Sequence, residues 1–267
     1  MNWREFKNKN VTLIGGAVSG GLDSCTVTHW LTNKGFEVHA ATVDLGQPDE
    51  KNLNTVRDRM LECGAHSAVV IDGQAALAKA GLKVVQSQAR YEGDYWNTTG
   101  IARPITVATI LTDFRKREIP VFFHGATGRG NDQVRFQLAA NMLQPDIEVY
   151  APWRDPEFIQ EFPGRQQMLD YCSIHNLPIQ PASKSRYSTD ANFLGLTHEA
   201  GDLENVTIPP YFVEPGMGVW AWEAPDTPDS VTIRWEEGTP VSISGKKLGI
   251  TELFKAANEI AGNHGVG

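Results

Sequence analysis

The residues best equipped for chemistry in this chain sit in two glycine-rich runs. The first, Ser19-Gly20-Gly21-Leu22-Asp23-Ser24, sets two hydroxyls and one carboxylate among glycines. Glycines let the backbone close on an anion, and a helix start adds unpaired N–H groups and a partial positive charge. That combination suits a phosphate. The Walker pattern G-x-x-x-x-G-K-[ST] would require a lysine, but Leu22-Asp23-Ser24 stands where Gly-Lys-Ser/Thr would fall. With no lysine to grip a transferring γ-phosphate, the run is suited to cradling a pyrophosphate, with Asp23 near a Mg²⁺ ion. The plainer alternative is an ordinary strand-to-helix turn in which Asp23 or Ser24 caps the helix.

The second run is Gly125-Ala126-Thr127-Gly128-Arg129-Gly130-Asn131-Asp132. Thr127 supplies a hydroxyl, Asn131 an amide and Asp132 a carboxylate, a set able to hold carboxylates and an ammonium together. Arg135 lies four residues beyond Asn131, hence on the same helix face, and a guanidinium there can pair bidentately with a carboxylate. The plainer alternatives are that Asn131 and Asp132 cap a helix beginning at Gln133 and that Arg135 makes a surface ion pair.

Both runs need a frame that delivers them to one edge. The apolar run Val11-Thr12-Leu13-Ile14 predicts a strand leading into a turn from Gly15, with a helix after Ser24. Strands are expected over 37–45, 67–72, 119–124 and 147–150, and helices over 49–63, 104–117, 133–143 and 164–175. Pro104 falls in the first turn of its helix, and 74–100 reads as less regular. Near-continuous apolar strands alternating with helices predict a doubly wound α/β fold with a parallel sheet, whose ligands gather at the strand C-termini. From about Asn205 the texture changes to proline-rich segments, a hairpin over 230–244 and a helix over 251–260, the start of a second unit. The expected division is 1–176 and 177–267.

Composition narrows the classes. With 267 residues, 41% hydrophobic and 21% charged, the chain is long enough for one large domain, or for one domain plus a partial second. A net charge of −8 with no basic run argues against nucleic acid or an anionic membrane as a partner. The three cysteines, Cys25, Cys63 and Cys172, are far apart and lack metal-ligand spacing, so they read as buried thiols in a reducing compartment. The N-terminus has no signal-type apolar core and no stretch approaches a membrane span, so the protein is read as cytosolic. His29, His39, His66 and His175 are scattered and read as structural, while His124 is open between nucleotide contact and strand-end packing.

Several stretches together are more specific than any glycine loop. The Ser19–Ser24 run resembles the pyrophosphatase loop of enzymes that split ATP into AMP and pyrophosphate. Val43-Asp44-Leu45-Gly46-Gln47, Gly125 to Phe136, Ala151-Pro152-Trp153-Arg154 and Tyr187-Ser188-Thr189-Asp190-Ala191-Asn192 resemble the argininosuccinate synthase family. The resemblance implies an adenine-nucleotide α-hydrolase-like fold and an ATP-dependent ligase that joins citrulline and aspartate. ATP adenylates the ureido oxygen and the aspartate amine displaces AMP. It assigns Ala17, Ser19, Gly20, Gly21, Asp23, Ser24, Val43 and Gly125 to ATP, with Asp23 and Ser24 as the catalytic pair and Asp23 on Mg²⁺. It assigns Thr127, Asn131 and Asp132 to aspartate, and Tyr95, Asn131, Arg135, Ser188 and Thr197 to the acceptor. Taken alone, Tyr95 and Ser188 would be a core-edge aromatic and a turn serine.

The chain also departs from the family. Where the family reads Gly-Thr-Ser-x-Ala-Arg-Pro, this sequence has Thr98-Thr99-Gly100-Ile101-Ala102-Arg103-Pro104, so Gly100 lacks a hydroxyl offered to citrulline. Thr197 replaces a serine and keeps a donor. The family continues beyond the equivalent of Gly267, where it supplies a glutamate and a tyrosine to citrulline, most of the second domain and an oligomerisation helix. The second unit is therefore expected to be shortened, the acceptor to be citrulline or a related ureido or carbonyl compound, and a homo-oligomer stays open. The rival readings are a ligase or amidating enzyme of the same superfamily with another acceptor, a sulfur-transfer enzyme, and a non-catalytic nucleotide-binding relative.

Overall fold

The computed structural model describes residues 2–48, 52–93, 95–128, 130–179 and 186–266. In chain order its elements are α1 (Trp3–Asn8), β1 (Leu13–Ala17), α2 (Leu22–Asn33), β2 (Glu37–Asp44), α3 (Leu53–Glu62), β3 (Ser67–Asp72), α4 (Gln74–Ser87), α5 (Thr98–Lys116), β4 (Val121–His124), α6 (Asn131–Leu143), β5 (Glu148–Tyr150), α7 (Pro156–Glu161), α8 (Arg165–Ile174), β6 (Ser188–Asn192), β7 (Gly195–Glu199), β8 (Ile233–Glu236), β9 (Thr239–Ile243), β10 (Lys246–Lys247) and α9 (Ile250–Asn263). They fall into two compact units that interleave in sequence. One comprises Met1–Asp44, Asn52–Asp72 and Arg103–Ser183, the other Leu45–Lys51, Gly73–Ala102 and Lys184–Gly267.

The first unit is a doubly wound α/β domain. Its sheet has five parallel strands in the order β3-β2-β1-β4-β5. β1 and β4, which lead into the two glycine-rich runs, are neighbours, with Ala17 opposite His124. One face packs against α2, with Trp30, Leu31 and Val27 meeting Phe6, Phe36, Val38, Phe158 and Phe162 in a single apolar cluster. The other face carries Phe114 of α5 and Phe136 of α6 against Phe122. All three cysteines are buried and free, as the sequence suggests.

Several elements differ from the sequence expectation, each for a physical reason. Gly15, Gly16 and Ala17 belong to β1 and not to the turn. A Cβ on Gly15 would stand 2.2 Å from Phe114 Cζ, and one on Gly16 2.2 Å from Phe123 Cζ, so these glycines make room for rings. β4 starts at Val121 because Pro120 has no N–H to give the sheet. β3 is only half-buried, being the edge strand. α5 starts at Thr98, which puts Pro104 inside the helix. Its first turn is held before the proline by bonds such as Ile101 N–H to Asn97 C=O, 3.2 Å. α3 spans Leu53–Glu62 with the Asn52 side chain as its cap, and the expected start at Asp49 lies outside the described residues.

In the second unit, 74–87 forms α4, where the sequence suggested less regular chain. Its Gly81 lies under the Leu194 side chain, and α9 packs along α4 and against β9. β6 and β7 pair as an antiparallel hairpin, and β8, β9 and β10 form a three-stranded antiparallel sheet. The hairpin expected over 230–244 is β8–β9, and the helix expected over 251–260 is α9. No helix among the described residues is long and apolar enough to cross a membrane.

Candidate active site

The first glycine-rich run turns β1 into α2 through Val18–Gly21. Val18 is fixed to β2 on both sides of its peptide: its N–H donates to Ala41 C=O and its C=O accepts from Thr42 Oγ1, both at 3.0 Å. Gly20 has φ +75°, a left-handed conformation costly for any residue with a Cβ. A Cβ there would also meet Val56 and Arg59 of α3 within 3 Å. Arg59 Nη1 donates 2.8 Å to Gly20 C=O, so α3 pins the turn from outside.

Gly21 is the N-cap of α2 and no side chain caps the helix. The first-turn N–H groups therefore have no helical partner and carry the positive end of the dipole. Neither Asp23 nor Ser24 is the cap; both lie inside the first turn. Ser24, buried, accepts the Ser19 N–H at 3.0 Å, and the two hydroxyl oxygens are 3.3 Å apart. The run is thus a cradle of amides and two hydroxyls with one carboxylate beside it. Burial raises the pKa of Asp23 above the ordinary carboxylate value, opposed by the hydrogen bond from the Trp153 indole, Nε1 to Oδ1 at 3.1 Å.

The second run adjoins the first. A Cβ on Gly125 would lie 3.7 Å from Asp23 Cβ, and one on Gly128 3.0 Å from Trp153 C=O. Trp153 therefore touches both runs. Gly130 is the N-cap of α6, again without a side-chain cap bond, so Asn131 and Asp132 occupy the first two helical positions. The capping alternative for these two residues is thereby removed, and the helix starts two residues earlier than expected. Arg129 lies outside the described residues.

Asp132 is clamped. Arg103, from α5, sends both Nε and Nη2 to Asp132 Oδ2 at 2.8 Å, and Arg135 sends Nη1 to Asp132 Oδ1 at 2.9 Å. Thr127 and Asn131 stand exposed on either side of Gly128–Gly130. Beneath the loop, His124 is buried, its Nδ1 accepts the Ala126 N–H at 3.3 Å, and its ring stacks on Phe136 with centroids 5.0 Å apart. Burial lowers its pKa to about 4, so the imidazole is neutral and carries its proton on Nε2.

Ala17 ends β1 half-buried, and Val43 is buried near the end of β2. In the second unit, Tyr95 is half-buried and its hydroxyl accepts the Thr99 N–H at 3.4 Å. Ser188 and Thr197 lie on the β6–β7 hairpin, paired respectively with Glu199 and Asp190. At Gly100, Asn97 Oδ1 lies 2.0 Å from where a Cβ would stand, so the Asn97 amide fills the space of a side chain. Arg59, Thr42, Arg103 and Trp153 support the runs without having been singled out for a role in sequence. Trp153 had a signal as part of the stretch Ala151–Arg154, and Arg103 as the arginine of Ala102-Arg103-Pro104; Arg59 and Thr42 had none.

Family models cover nearly the whole chain. The argininosuccinate synthase N-terminal HUP domain matches residues 13–178, and the C-terminal domain of the same enzyme matches 187–267. The chain belongs to the argininosuccinate synthase family. A curated argininosuccinate synthase of Rhodopirellula baltica is 42% identical over 253 residues, covering 94% of this chain. The chain spans 62% of the length of that relative. A solved structure described as a predicted subunit of tRNA methyltransferase from Methanocaldococcus jannaschii matches 61% of this chain and 75% of its own at 14% identity. Its TM-score is 0.41.

Proposed function

We propose that this chain is an ATP-dependent C–N ligase that joins aspartate to citrulline or a related ureido acceptor through an adenylate. The observation that carries the reading is the uncapped head of α2, with Ser19, Ser24 and a part-buried Asp23 beside Gly125, in a chain of this family. In the first step the ureido oxygen attacks the α-phosphorus of ATP, and the bond to the β-phosphate oxygen breaks. The amides of 20–24 and the hydroxyls of Ser19 and Ser24 hold the departing pyrophosphate as its charge develops. In the second step the aspartate ammonium gives up a proton and the resulting amine attacks the activated carbon; the C–O bond breaks, its electron pair and oxygen leave on AMP, and the new nitrogen sheds a further proton.

Ala17, Val43 and Gly125 complete the nucleotide contacts in this reading. Thr127, Asn131 and Asp132 hold aspartate, with Asp132 facing its ammonium. Asn131 and Arg135 face the acceptor, and the contacts given to Tyr95, Ser188 and Thr197 rest on their family positions. Among the described residues no three acidic, histidine or cysteine side chains gather as a metal cage. Mg²⁺ therefore fits as an ion carried mainly by phosphate oxygens and water, with Asp23 giving one further ligand. When bound it neutralises phosphate charge.

Sulfur transfer is disfavoured because Cys25 is fully buried within α2 and offers no nucleophile at the cradle. The deciding experiment measures AMP and pyrophosphate release from ATP with aspartate and citrulline together and with each omitted. AMP formed only with both supports the reading. No AMP with the pair, but AMP with another ureido compound, would move the acceptor; no AMP with any would leave a nucleotide-binding relative.

A further inference from the structure

The two guanidiniums on Asp132 do not hold it alike. Arg103 places two nitrogens on Oδ2, and its side chain is the more enclosed, 20% exposed. Arg135 places a single nitrogen on Oδ1 from three residues along the same helix, and is 32% exposed. One grip is two-pointed and anchors the carboxylate from another helix; the other is single and local. Exposed i,i+3 pairs are weak, so the second is the exchangeable one.

Two cations thus share one carboxylate in the first turn of α6. In the reading above, Asp132 receives the ammonium of aspartate and Arg135 receives a carboxylate of the acceptor. Both assignments draw on groups already paired with each other. An ammonium arriving at Oδ1 takes the place of Arg135 Nη1, and Arg103 keeps Asp132 in position while it does so. Arg135 is then released to meet a carboxylate without first breaking an ion pair.

We propose that Asp132 is a shared anchor that keeps Arg135 folded onto α6 until an ammonium displaces it, so that aspartate and the acceptor bind with positive coupling. Arg103 is the positioning residue of this exchange. The proposal rests on the substrate assignment above, and its size is set by the pair that is broken. One partly exposed ion pair gives about three- to fivefold between the affinities with and without the second ligand.

The test is calorimetric titration of citrulline into the protein with an α,β-methylene ATP analogue present, so that no adenylate forms. It is run with no addition, with saturating aspartate and with succinate, which has both carboxylates but no ammonium. The expected result is an affinity about three- to fivefold tighter with aspartate and unchanged with succinate. Aspartate that binds but leaves citrulline affinity unchanged or weaker, or succinate that tightens it equally, overturns the exchange and leaves the substrate reading standing. Absence of binding by both aspartate and citrulline overturns the exchange and the substrate reading together.

Discussion

The indole N–H of Trp153 meets Asp23 Oδ1 at 3.1 Å, joining residues 130 positions apart in sequence. The carboxylate at the head of α2 is thus oriented by the segment that follows β5. The tryptophan is itself fixed, its ring standing edge-on to Phe158 at 5.4 Å. Trp153→Phe keeps an aromatic ring there and removes only the donor. A hydrogen bond to a charged group is worth about 1.5–3 kcal/mol, so kcat/KM for ATP is expected to fall at least about tenfold. Steady-state kinetics with circular dichroism checks this; full activity in a folded variant would remove the orienting role.

Asp23 also sets function against stability. Its pKa is raised chiefly because burial penalises the charged form, so ionised Asp23 costs the folded state free energy at neutral pH. For an acid raised in the fold, stability is gained as pH falls through the folded value. Asp23→Asn removes the charge yet can still accept the Trp153 N–H through its amide oxygen. The ligand-free variant is expected to melt at a higher temperature than the parent at pH 7 and to release no AMP. A lower melting temperature, or retained turnover, would contradict these two roles.

How far the sequence disclosed this site follows from where each cause lies. The β1–loop–α2 and β4–loop–α6 units were legible because apolar run, glycine turn and helix follow each other locally. Gly15 and Gly16 misled, since glycine usually signals a turn, whereas here the rings of Phe114 and Phe123, about a hundred residues on, dictate them. α4 was overlooked because its buried side is small, Leu77, Ala78 and Gly81, and its partners α9 and Leu194 arrive late in the chain. The polar strands of the β6–β7 hairpin carry little apolar alternation to mark them. The clamp on Asp132 needed the fold, because Arg103 lies on a different helix.

His124 gives the domain a specific acid sensitivity. Its pKa is lowered from 6.5 to about 4 by burial, so the unfolded chain binds a proton in that window that the folded one refuses. Stability from this residue is complete above pH 6.5 and is lost as pH falls from 6.5 to about 4, by up to about 3 kcal/mol. His124→Phe preserves the stack on Phe136 and cannot titrate. Urea unfolding of both proteins at pH 7, 6, 5 and 4.5 is expected to show the parent losing stability faster than the variant. Parallel pH profiles would contradict the assignment.

Gly16 and Phe123 make the sheet's tightest demand on sequence. A Cβ on Gly16 would lie 2.2–2.4 Å from three atoms of the Phe123 ring, which is buried on the adjoining strand and opposite Gly16 in register. Neither strand can retreat, since β1 and β4 are both paired on their outer sides. Gly16→Ala therefore overpacks the core, at a cost of about 1–3 kcal/mol or more. Phe123→Leu alone also destabilises, by leaving a cavity. In the double variant each change relieves the other, so the combined loss is expected to fall short of the sum by about 1–2 kcal/mol. Denaturant unfolding of the parent, both single variants and the double variant measures the difference. Additive losses would show that the ring and the glycine do not oblige one another.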